Sequence, residues 1–253
     1  MSVYQIIFSP TGGTKKAADI FVKALRKPYK TMDLTDSTVD FSEITFQEND
    51  LCIIAVPSFG GRVPAAASER IQKIKGEGAK AVLIVTYGNR AYEDTLLELK
   101  DLMEECGFRC AAAAAVVTEH SIVHKFGKGR PDAQDVQELE GFAESILERI
   151  QNHKIPENLD VPGNRPYRKY GVVPIQPRAG KNCNECGLCA QKCPVEAISK
   201  SHPKETDQER CISCMRCVKV CPNQARKVNA LLLAAVTKKI QKACSSRKEN
   251  EWF

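Results

Sequence analysis

Two cysteine motifs near the C-terminus decide how this 253-residue chain is organised. The first is Cys183-Asn-Glu-Cys186-Gly-Leu-Cys189-Ala-Gln-Lys-Cys193-Pro194, and the second is Cys211-Ile-Ser-Cys214-Met-Arg-Cys217-Val-Lys-Val-Cys221-Pro222. Both read C-x2-C-x2-C-x3-C-P, and the second repeats the first 28 positions further on. The two copies together use eight of the 12 cysteines in the chain.

Thiolates at this spacing are typical of iron–sulfur ligation, and the repeat resembles that of bacterial ferredoxins with two 4Fe-4S clusters. In those proteins the cysteine before the proline binds the cluster of the other motif. The resemblance therefore implies one cluster on Cys183, Cys186, Cys189 and Cys221, and another on Cys211, Cys214, Cys217 and Cys193. Zinc is an alternative, although zinc sites usually separate their C-x2-C pairs by a longer loop, and disulfides are another.

The remaining composition indicates an intracellular chain. The N-terminal stretch Met1–Phe8 has neither a basic leader nor a cleavage site, so we expect no signal peptide. No apolar run reaches the length of a membrane span, so we expect no transmembrane segment. We therefore expect a cytoplasmic protein, because thiols stay reduced and clusters can be assembled there.

Charge is divided unevenly along the chain. Residues 1–160 hold 19 Lys and Arg against 24 Asp and Glu, whereas residues 161–253 hold 18 against 7. A basic half can signal nucleic-acid binding. We expect instead that it compensates the negative charge of the clusters, or docks on the acidic half or on an acidic partner. The expected partners are redox proteins, not nucleic acid.

Residues 1–155 alternate apolar runs and amphipathic segments. Apolar runs predict strands at Val3–Phe8, Leu51–Val56, Ala81–Thr86 and Ala111–Val117, and a weaker one at Lys30–Leu34. Helical spacing predicts helices at Lys15–Leu25, Pro64–Ile74, Tyr92–Cys106 and Asp132–Ile150. Five strands with intervening helices favour an α/β fold, a doubly wound five-stranded parallel sheet.

The later part of the chain changes character three times. Residues 156–180 form a predicted linker laid along a surface, with Pro156, Pro162, Pro166, Pro174 and Pro177. Residues 181–228 are the predicted cluster domain, a small α+β unit. Residues 229–253 are predicted to form a helix with one buried face and a frayed polar end from 245 to 253. We expect the helix to dock on its own protein; a partner or a membrane surface is the alternative.

The turn after the first predicted strand has the composition of a phosphate cradle. It reads Ser9-Pro10-Thr11-Gly12-Gly13-Thr14 and opens directly into a helix. Backbone N–H groups, hydroxyls and the helix dipole all favour an anion there. The chain has no Walker lysine motif and no G-x-G-x-x-G, which argues against a nucleoside triphosphate or a Rossmann dinucleotide. An ordinary N-cap is the alternative.

Two further glycine- and aromatic-containing loops follow predicted strands at 57–61 and 86–92, where ligands bind in open α/β sheets. With Ser9-x-Thr11-Gly12-x-Thr14, they make residues 1–153 resemble flavodoxins. The resemblance implies FMN as a cofactor. The chain departs from the usual flavodoxin pattern at Asn89, where many flavodoxins carry an acidic residue. It also lacks a clear helix around residues 36–47. The implied FMN contacts are Ser9, Thr11, Gly12, Gly13, Thr14, Pro57, Ser58, Phe59, Gly60, Gly61, Thr86, Tyr87, Gly88, Asn89 and Tyr92.

The whole arrangement is similar to the flavodoxin–ferredoxin fusion proteins of anaerobic bacteria and archaea, as is the stretch 129–132. The resemblance implies an electron-transfer protein that couples an FMN to two 4Fe-4S clusters and needs no catalytic residue. One alternative is an FMN-dependent reductase in which His120 or His124, beyond the fifth strand, protonates a substrate. Another is a redox subunit of a larger complex.

One position breaks the similarity between the two repeats. The first continues as Cys193-Pro-Val-Glu-Ala-Ile198 and the second as Cys221-Pro-Asn-Gln-Ala-Arg226. A cation beside one cluster raises its reduction potential. The alternative, which we favour from sequence, is that Arg226 turns outward to solvent.

Overall fold

The computed structural model describes residues 1–171 and 175–253, so Pro174 of the predicted linker lies outside the described residues. The first part of the chain alternates strands and helices. Its elements are β1 (Val3–Ile7), α1 (Gly13–Ala24), β2 (Tyr29–Asp33), β3 (Leu51–Pro57), α2 (Ala65–Ile71), β4 (Lys80–Tyr87), α3 (Thr95–Glu105), β5 (Arg109–Val117) and α4 (Ala133–Gln151).

The first five strands form a parallel sheet in the order β2-β1-β3-β4-β5. This confirms the predicted doubly wound fold. The three central apolar runs carry no alternation because helices cover both faces of the sheet. One face packs on α1 and α4 through residues such as Phe21 and Leu139, and the other packs on α3 through Leu96 and Leu99. The reversal of strand order between β1 and β3 opens a crevice at the carboxyl ends of these strands.

The proline-rich segment lies along the first domain up to residue 171. Leu159 and Val161 are buried and join the core on the side of α3. Further along, Asn164 donates from its backbone N–H to a carboxylate oxygen of Asp94 at 2.9 Å. Arg165 forms an ion pair with Asp101 on α3.

The second domain is built around the two cysteine motifs. Its elements are β6 (Arg178–Ala179), α5 (Leu188–Gln191), α6 (Arg216–Val220) and β7 (Arg226–Lys227), and β6 pairs antiparallel with β7. Left-handed backbone occurs at Glu185 and Gly187, and again 28 positions later at Ser213 and Met215. The sequence repeat is therefore a repeat of backbone conformation as well.

The end of the chain returns to the first domain, and the prediction of a frayed tail at 245–253 is wrong. Helix α7 (Ala230–Cys244) is followed by β8 (Glu251–Trp252), which pairs antiparallel with β5 and becomes a sixth strand. The Trp252 ring lies 4.7 Å from that of Phe142, centroid to centroid. A free sheet edge offers unpaired backbone N–H and C=O groups to any extended segment that reaches it. The C-terminal segment reaches the edge at β5 and pairs with it.

The Gly129-Arg130-Pro131-Asp132 stretch anchors this tail. Arg130 is buried, forms an ion pair with buried Asp135 and donates to the carbonyl of Lys248 at 2.6 Å. Asp135 also accepts from the side-chain amide of Asn250 at 2.8 Å. Sequence reasoning assigned this stretch only the start of a helix. That role is also present, because Asp132 is the N-cap of α4.

Helix α7 packs one face on the loop after β5. Leu233, Ile240 and Cys244 contact a small cluster that includes Val123 and Phe126. Near the start of the helix, Leu231 remains 82% exposed. None of the helices in the described ranges combines the length and apolar character that crossing a membrane requires.

Candidate functional site

A cavity of about 470 Å³ opens at the carboxyl ends of β1, β3, β4 and β5. It brings together nine of the residues implied as FMN contacts: Thr11, Gly13, Thr14, Pro57, Ser58, Phe59, Thr86, Tyr87 and Gly88. The other lining residues are Pro10, Thr118, Glu119, His120, Ser121 and Cys214. Three loops that lie far apart in sequence therefore meet at one place, as the strand order requires.

The phosphate cradle forms where β1 turns into α1. Gly12 has φ 97°, a left-handed conformation that favours glycine, and the helix begins at the next residue. The first N–H groups of a helix have no partner within it, and they carry a partial positive charge. Across the cavity, the hydroxyls of Thr14 and Thr86 lie 2.7 Å apart. The cradle therefore offers neutral donors, and no Lys or Arg lines the cavity among the described residues.

Six of the implied contacts do not line the cavity. Ser9 accepts from the backbone N–H of Lys15 at 2.9 Å. Asn89 donates to the carbonyl of Cys244 at 2.9 Å, and the Tyr92 hydroxyl donates to the Glu251 carboxylate at 2.8 Å. These two side chains thus hold the C-terminal tail. The others are Gly12, Gly60 and Gly61.

The aromatic residues of the two ring loops have different surroundings. Tyr87 lines the cavity but is only 5% exposed, and its ring lies 5.3 Å from that of Tyr92. Its hydroxyl donates to the carbonyl of Glu249. Phe59 lines the cavity and is only partly buried. Of the aromatic residues implied as contacts, Phe59 is therefore the one best placed to cover a flat ring.

The loop after β5 supplies a further wall that the flavodoxin resemblance did not include. His120 Nδ1 accepts from the backbone N–H groups of Ile122 at 3.1 Å and Val123 at 3.2 Å. Burial, followed by the charges of His124 and Arg90, lowers the pKa of His120 to about 4. The imidazole is therefore neutral near pH 7 and carries its proton on Nε2. From sequence, His120 was only a candidate proton donor beyond the fifth strand; the rule that ligands bind at the carboxyl ends of strands points to the whole loop.

The two candidate histidines have different positions. His120 lines the cavity, and a Cβ placed on Gly88 would lie 2.6 Å from its Cδ2, so the two loops meet closely. His124 is exposed and its Nδ1 lies 2.8 Å from a carboxylate oxygen of Glu119. It is not among the residues that line the cavity.

The eight motif cysteines surround two smaller cavities in the second domain. One, of about 310 Å³, is lined by Cys183, Cys186, Cys189 and Cys221. The other, of about 340 Å³, is lined by Cys193, Cys211, Cys214 and Cys217. These are the two crossed sets that the ferredoxin resemblance implies. We call them the outer and the inner cluster cavity, because Cys186 of the first set is exposed whereas Cys214 of the second also lines the large cavity.

The backbone around both cluster cavities suits negatively charged sulfur. The Ala197 N–H donates to Cys193 Sγ at 3.3 Å, and the Ala225 N–H donates to Cys221 Sγ at 3.2 Å. The repeated left-handed residues form backbone nests, which bind anions and iron–sulfur clusters in other proteins. Within residues 1–171 and 175–253, no three His, Cys, Asp or Glu side chains are arranged around a single metal ion.

Metal binding at the inner cavity must displace protons. Burial raises the pKa of Cys214 and of Cys217 to about 12, so both thiols are protonated near neutral pH without metal. Cluster ligands must be thiolates. Cluster loading is therefore expected to release protons and to depend on pH.

The second domain docks directly on the cradle of the first. Arg216, in the second cysteine motif, donates to the carbonyls of Pro10 at 3.2 Å and Ser9 at 3.4 Å. Val195 and Ile212 pack against the core of the first domain. The inner cluster cavity and the large cavity therefore share a wall at Cys214.

Residues 182–226 match the family of 4Fe-4S dicluster domains. No curated protein matches the chain. Among solved structures, a flavodoxin of Streptococcus pneumoniae is similar over 58% of this chain and 99% of that chain, with 21% identity and a TM-score of 0.42. Flavodoxin 1 from Bacillus cereus is similar over 58% and 98%, with 17% identity and a TM-score of 0.44. A flavodoxin from the Archaea is similar over 60% of this chain and 99% of that chain, with 14% identity and a TM-score of 0.42.

The family match confirms the expectation of two 4Fe-4S clusters in the second domain. The first domain has the strand order β2-β1-β3-β4-β5. This is one of the common strand orders of doubly wound folds, and flavodoxins have it. The chain therefore joins a doubly wound domain with the strand order of the flavodoxin-like fold to a 4Fe-4S dicluster domain at residues 182–226.

Proposed function

We propose that the protein is an electron carrier that couples an FMN in the first domain to the two 4Fe-4S clusters of the second. One observation carries this proposal: Cys214 lines both the inner cluster cavity and the large cavity of the first domain. A cysteine that binds a cluster from one side and borders the flavin site from the other leaves little distance for an electron to cross. At the opposite end, exposed Cys186 gives external redox partners access to the outer cavity.

The residues that line the large cavity suit FMN in their chemistry. The start of α1 and the hydroxyls of Thr11 and Thr14 face a site suited to a phosphate, and Phe59 borders the same cavity. FMN exchanges one or two electrons whereas each cluster exchanges one, so such a fusion can divide a two-electron step into single ones.

A second candidate, an FMN-dependent reductase, is favoured by His120, which lines the cavity. An imidazole with a pKa near 4 holds no transferable second proton near pH 7. His120 can donate a hydrogen bond from Nε2 but is a poor general acid. We therefore favour the carrier. Anaerobic screening with nicotinamides and small electron acceptors distinguishes the two, because an enzyme turns over a substrate without a protein partner.

The central test is anaerobic stopped-flow reduction of the loaded protein, followed at flavin and cluster wavelengths. We expect about eight irons and one FMN per chain, and a flavin reduction rate that follows cluster reduction and does not change with protein concentration. A rate proportional to protein concentration would mean that the cofactors exchange electrons only between molecules. Stoichiometric zinc, or protein that binds no FMN, would contradict the cofactor assignment itself.

A further inference from the structure

Asn89 is a buried polar residue whose hydrogen-bond partners all belong to the C-terminal tail. Its side-chain amide donates to the carbonyls of Cys244 at 2.9 Å and Ser246 at 2.8 Å. Its Oδ1 accepts from the backbone N–H of Lys248 at 3.1 Å. An amide carries both the two N–H donors and the acceptor that this arrangement uses, whereas an ionised carboxylate of the same shape has no N–H to offer.

The tail is anchored independently of this residue. Strand β8 pairs with β5, and Asn250 accepts from the backbone N–H of Val117 at 3.0 Å. Buried Arg130, which precedes α4, donates to the carbonyl of Lys248 at 2.6 Å. The tail is therefore a fixed support, held by the sheet and by the start of α4.

The loop after β4 depends on that support, because its own backbone is poorly connected. In the described ranges, no backbone–backbone hydrogen bond involves residues 88–91. Asn89 has φ 61°, a left-handed conformation that Asn and Asp adopt more readily than most residues. It directly follows Gly88, which lines the large cavity together with Tyr87. The amide of Asn89 thus links the fixed tail to one wall of the cavity.

Tyr92 makes a second link to the tail and extends it to another wall. Its hydroxyl donates to the carboxylate of Glu251 at 2.8 Å. Its backbone carbonyl accepts from the hydroxyl of Ser58 at 3.3 Å, and Ser58 lines the cavity in the loop after β3. Two walls of the cavity are therefore connected to the tail through residues that do not line it themselves.

We propose that Asn89 and Tyr92 are positioning residues of the flavin site, which attach the loop after β4 to the anchored tail and so order these walls before the cofactor binds. A wall that is already ordered lowers the entropic cost of binding. The tail, which ends the chain after the cluster domain, thereby becomes part of the cofactor site in the first domain. This inference rests on the FMN assignment within the proposed function.

The test measures the affinities of the whole, cluster-loaded protein for FMN and for riboflavin, by quenching of flavin fluorescence. Visible circular dichroism of the bound flavin reports the surroundings of its ring. Asn89→Asp keeps the shape of the side chain and its tolerance of left-handed backbone, but removes both donors. Asn152→Asp is the matched control, because it makes the same exchange at an exposed residue.

We expect Asn89→Asp to bind both flavins about tenfold more weakly, by the same factor, and to change the circular dichroism of the bound flavin. Asn152→Asp should match the wild type. A new carboxylate repels the phosphate of FMN but not riboflavin, so a loss confined to FMN would mean charge repulsion and would overturn the proposal. A purely structural role would lower stability and leave the flavin affinity of the folded protein unchanged.

A double-mutant cycle tests whether the effect passes through the tail. Glu251→Ala removes the acceptor of the Tyr92 hydroxyl, and Tyr92→Phe removes the donor. Each should weaken both flavins, and the double variant should lose no more than either single variant, because both changes remove the same contact. Glu251→Gln, which keeps an acceptor oxygen, should retain most of the affinity.

The outcomes separate this inference from the assignment beneath it. A wild type that binds neither flavin would overturn the FMN assignment. A wild type that binds FMN, with equal affinity in Asn89→Asp, would overturn the role of Asn89 alone. If Asn89→Asp does not fold, the cycle decides, since wild-type affinity in Glu251→Ala and Tyr92→Phe would show that the tail does not order the cavity.

Discussion

At the scale of single residues, Arg216 joins the two domains by holding two backbone carbonyls of the phosphate cradle. Because the peptide unit is planar, fixing the carbonyl of Pro10 also fixes the N–H of Thr11 in the opposite direction. We expect Arg216→Ala to weaken FMN binding by at least about tenfold, since a hydrogen bond to a charged group contributes about 1.5–3 kcal/mol. Riboflavin, which has no phosphate, should bind unchanged.

Quenching of flavin fluorescence measures both affinities. Arg210→Ala is the matched control, because Arg210 also belongs to the second domain but forms a solvent-exposed ion pair with Glu196 at 3.8 Å. Equal losses for FMN and riboflavin would show that Arg216 supports the whole cavity and not the phosphate loop.

His120 predicts a pH dependence of stability. Its pKa is about 4 in the folded protein against about 6.5 in an unfolded chain, so the unfolded state binds the proton more tightly. Stability is therefore full above pH 6.5 and falls as the pH decreases toward 4. From pH 7.5 to 5.5 we expect a loss of about 1.4 kcal/mol from this residue. His120→Gln should remove that loss in urea titrations, whereas the variant of exposed His153, His153→Gln, should retain it.

At the scale of elements, the strand at the end of the chain depends on Asn250. This side chain accepts from the backbone N–H of Val117 at 3.0 Å and donates to Asp135 at 2.8 Å. Asn250→Ala leaves the buried N–H of Val117 without a partner, whereas Asp135 keeps its ion pair with Arg130. We expect a fall of about 1–3 kcal/mol in the free energy of unfolding, measured by urea titration. Ser245→Ala, at an exposed residue with one local hydrogen bond, should change it little.

The same elements explain how far sequence reasoning reached. The buried runs at 51–56, 81–86 and 111–117 are apolar throughout, so five strands and the crevice at their ends were predictable. Strand β8 has two residues and no periodicity, and its pairing depends on an edge of β5 that lies more than 130 positions away. For the same reason, the contacts of Asn89 and Tyr92 with the tail could not be predicted. The expectation that Arg226 turns outward to solvent is also wrong, since this side chain is only 1% exposed, whereas composition alone favours solvent for an arginine.

At the scale of the whole molecule, the two domains meet without ion pairs. In the described ranges, no salt bridge joins residues 1–155 to residues 181–228. The interface uses arginine–carbonyl hydrogen bonds at Arg216 and Arg70 and apolar contacts of Val195 and Ile212. The opposite net charges of the two halves therefore contribute little to close contact.

Electron transfer inside the molecule should consequently change little with ionic strength. Transfer between the basic second domain and an acidic partner should slow as salt rises, because charges on separate surfaces are screened beyond about 8 Å at physiological salt. Stopped-flow measurements from low to high salt, with and without an external acidic donor, compare the two rates. A strong salt dependence of the internal rate would mean that the docked arrangement opens in solution.

The return of the chain to its first sheet also bears on biosynthesis. Translation proceeds from the N-terminus, so β8 leaves the ribosome only after both cysteine motifs have emerged. A nascent chain arrested between Cys221 and Asn250 holds a complete set of cluster ligands beside a sheet whose β5 edge is still free. Folding of the two domains is therefore interleaved. The first domain is translated first, but its sheet is completed last, when β8 pairs with β5.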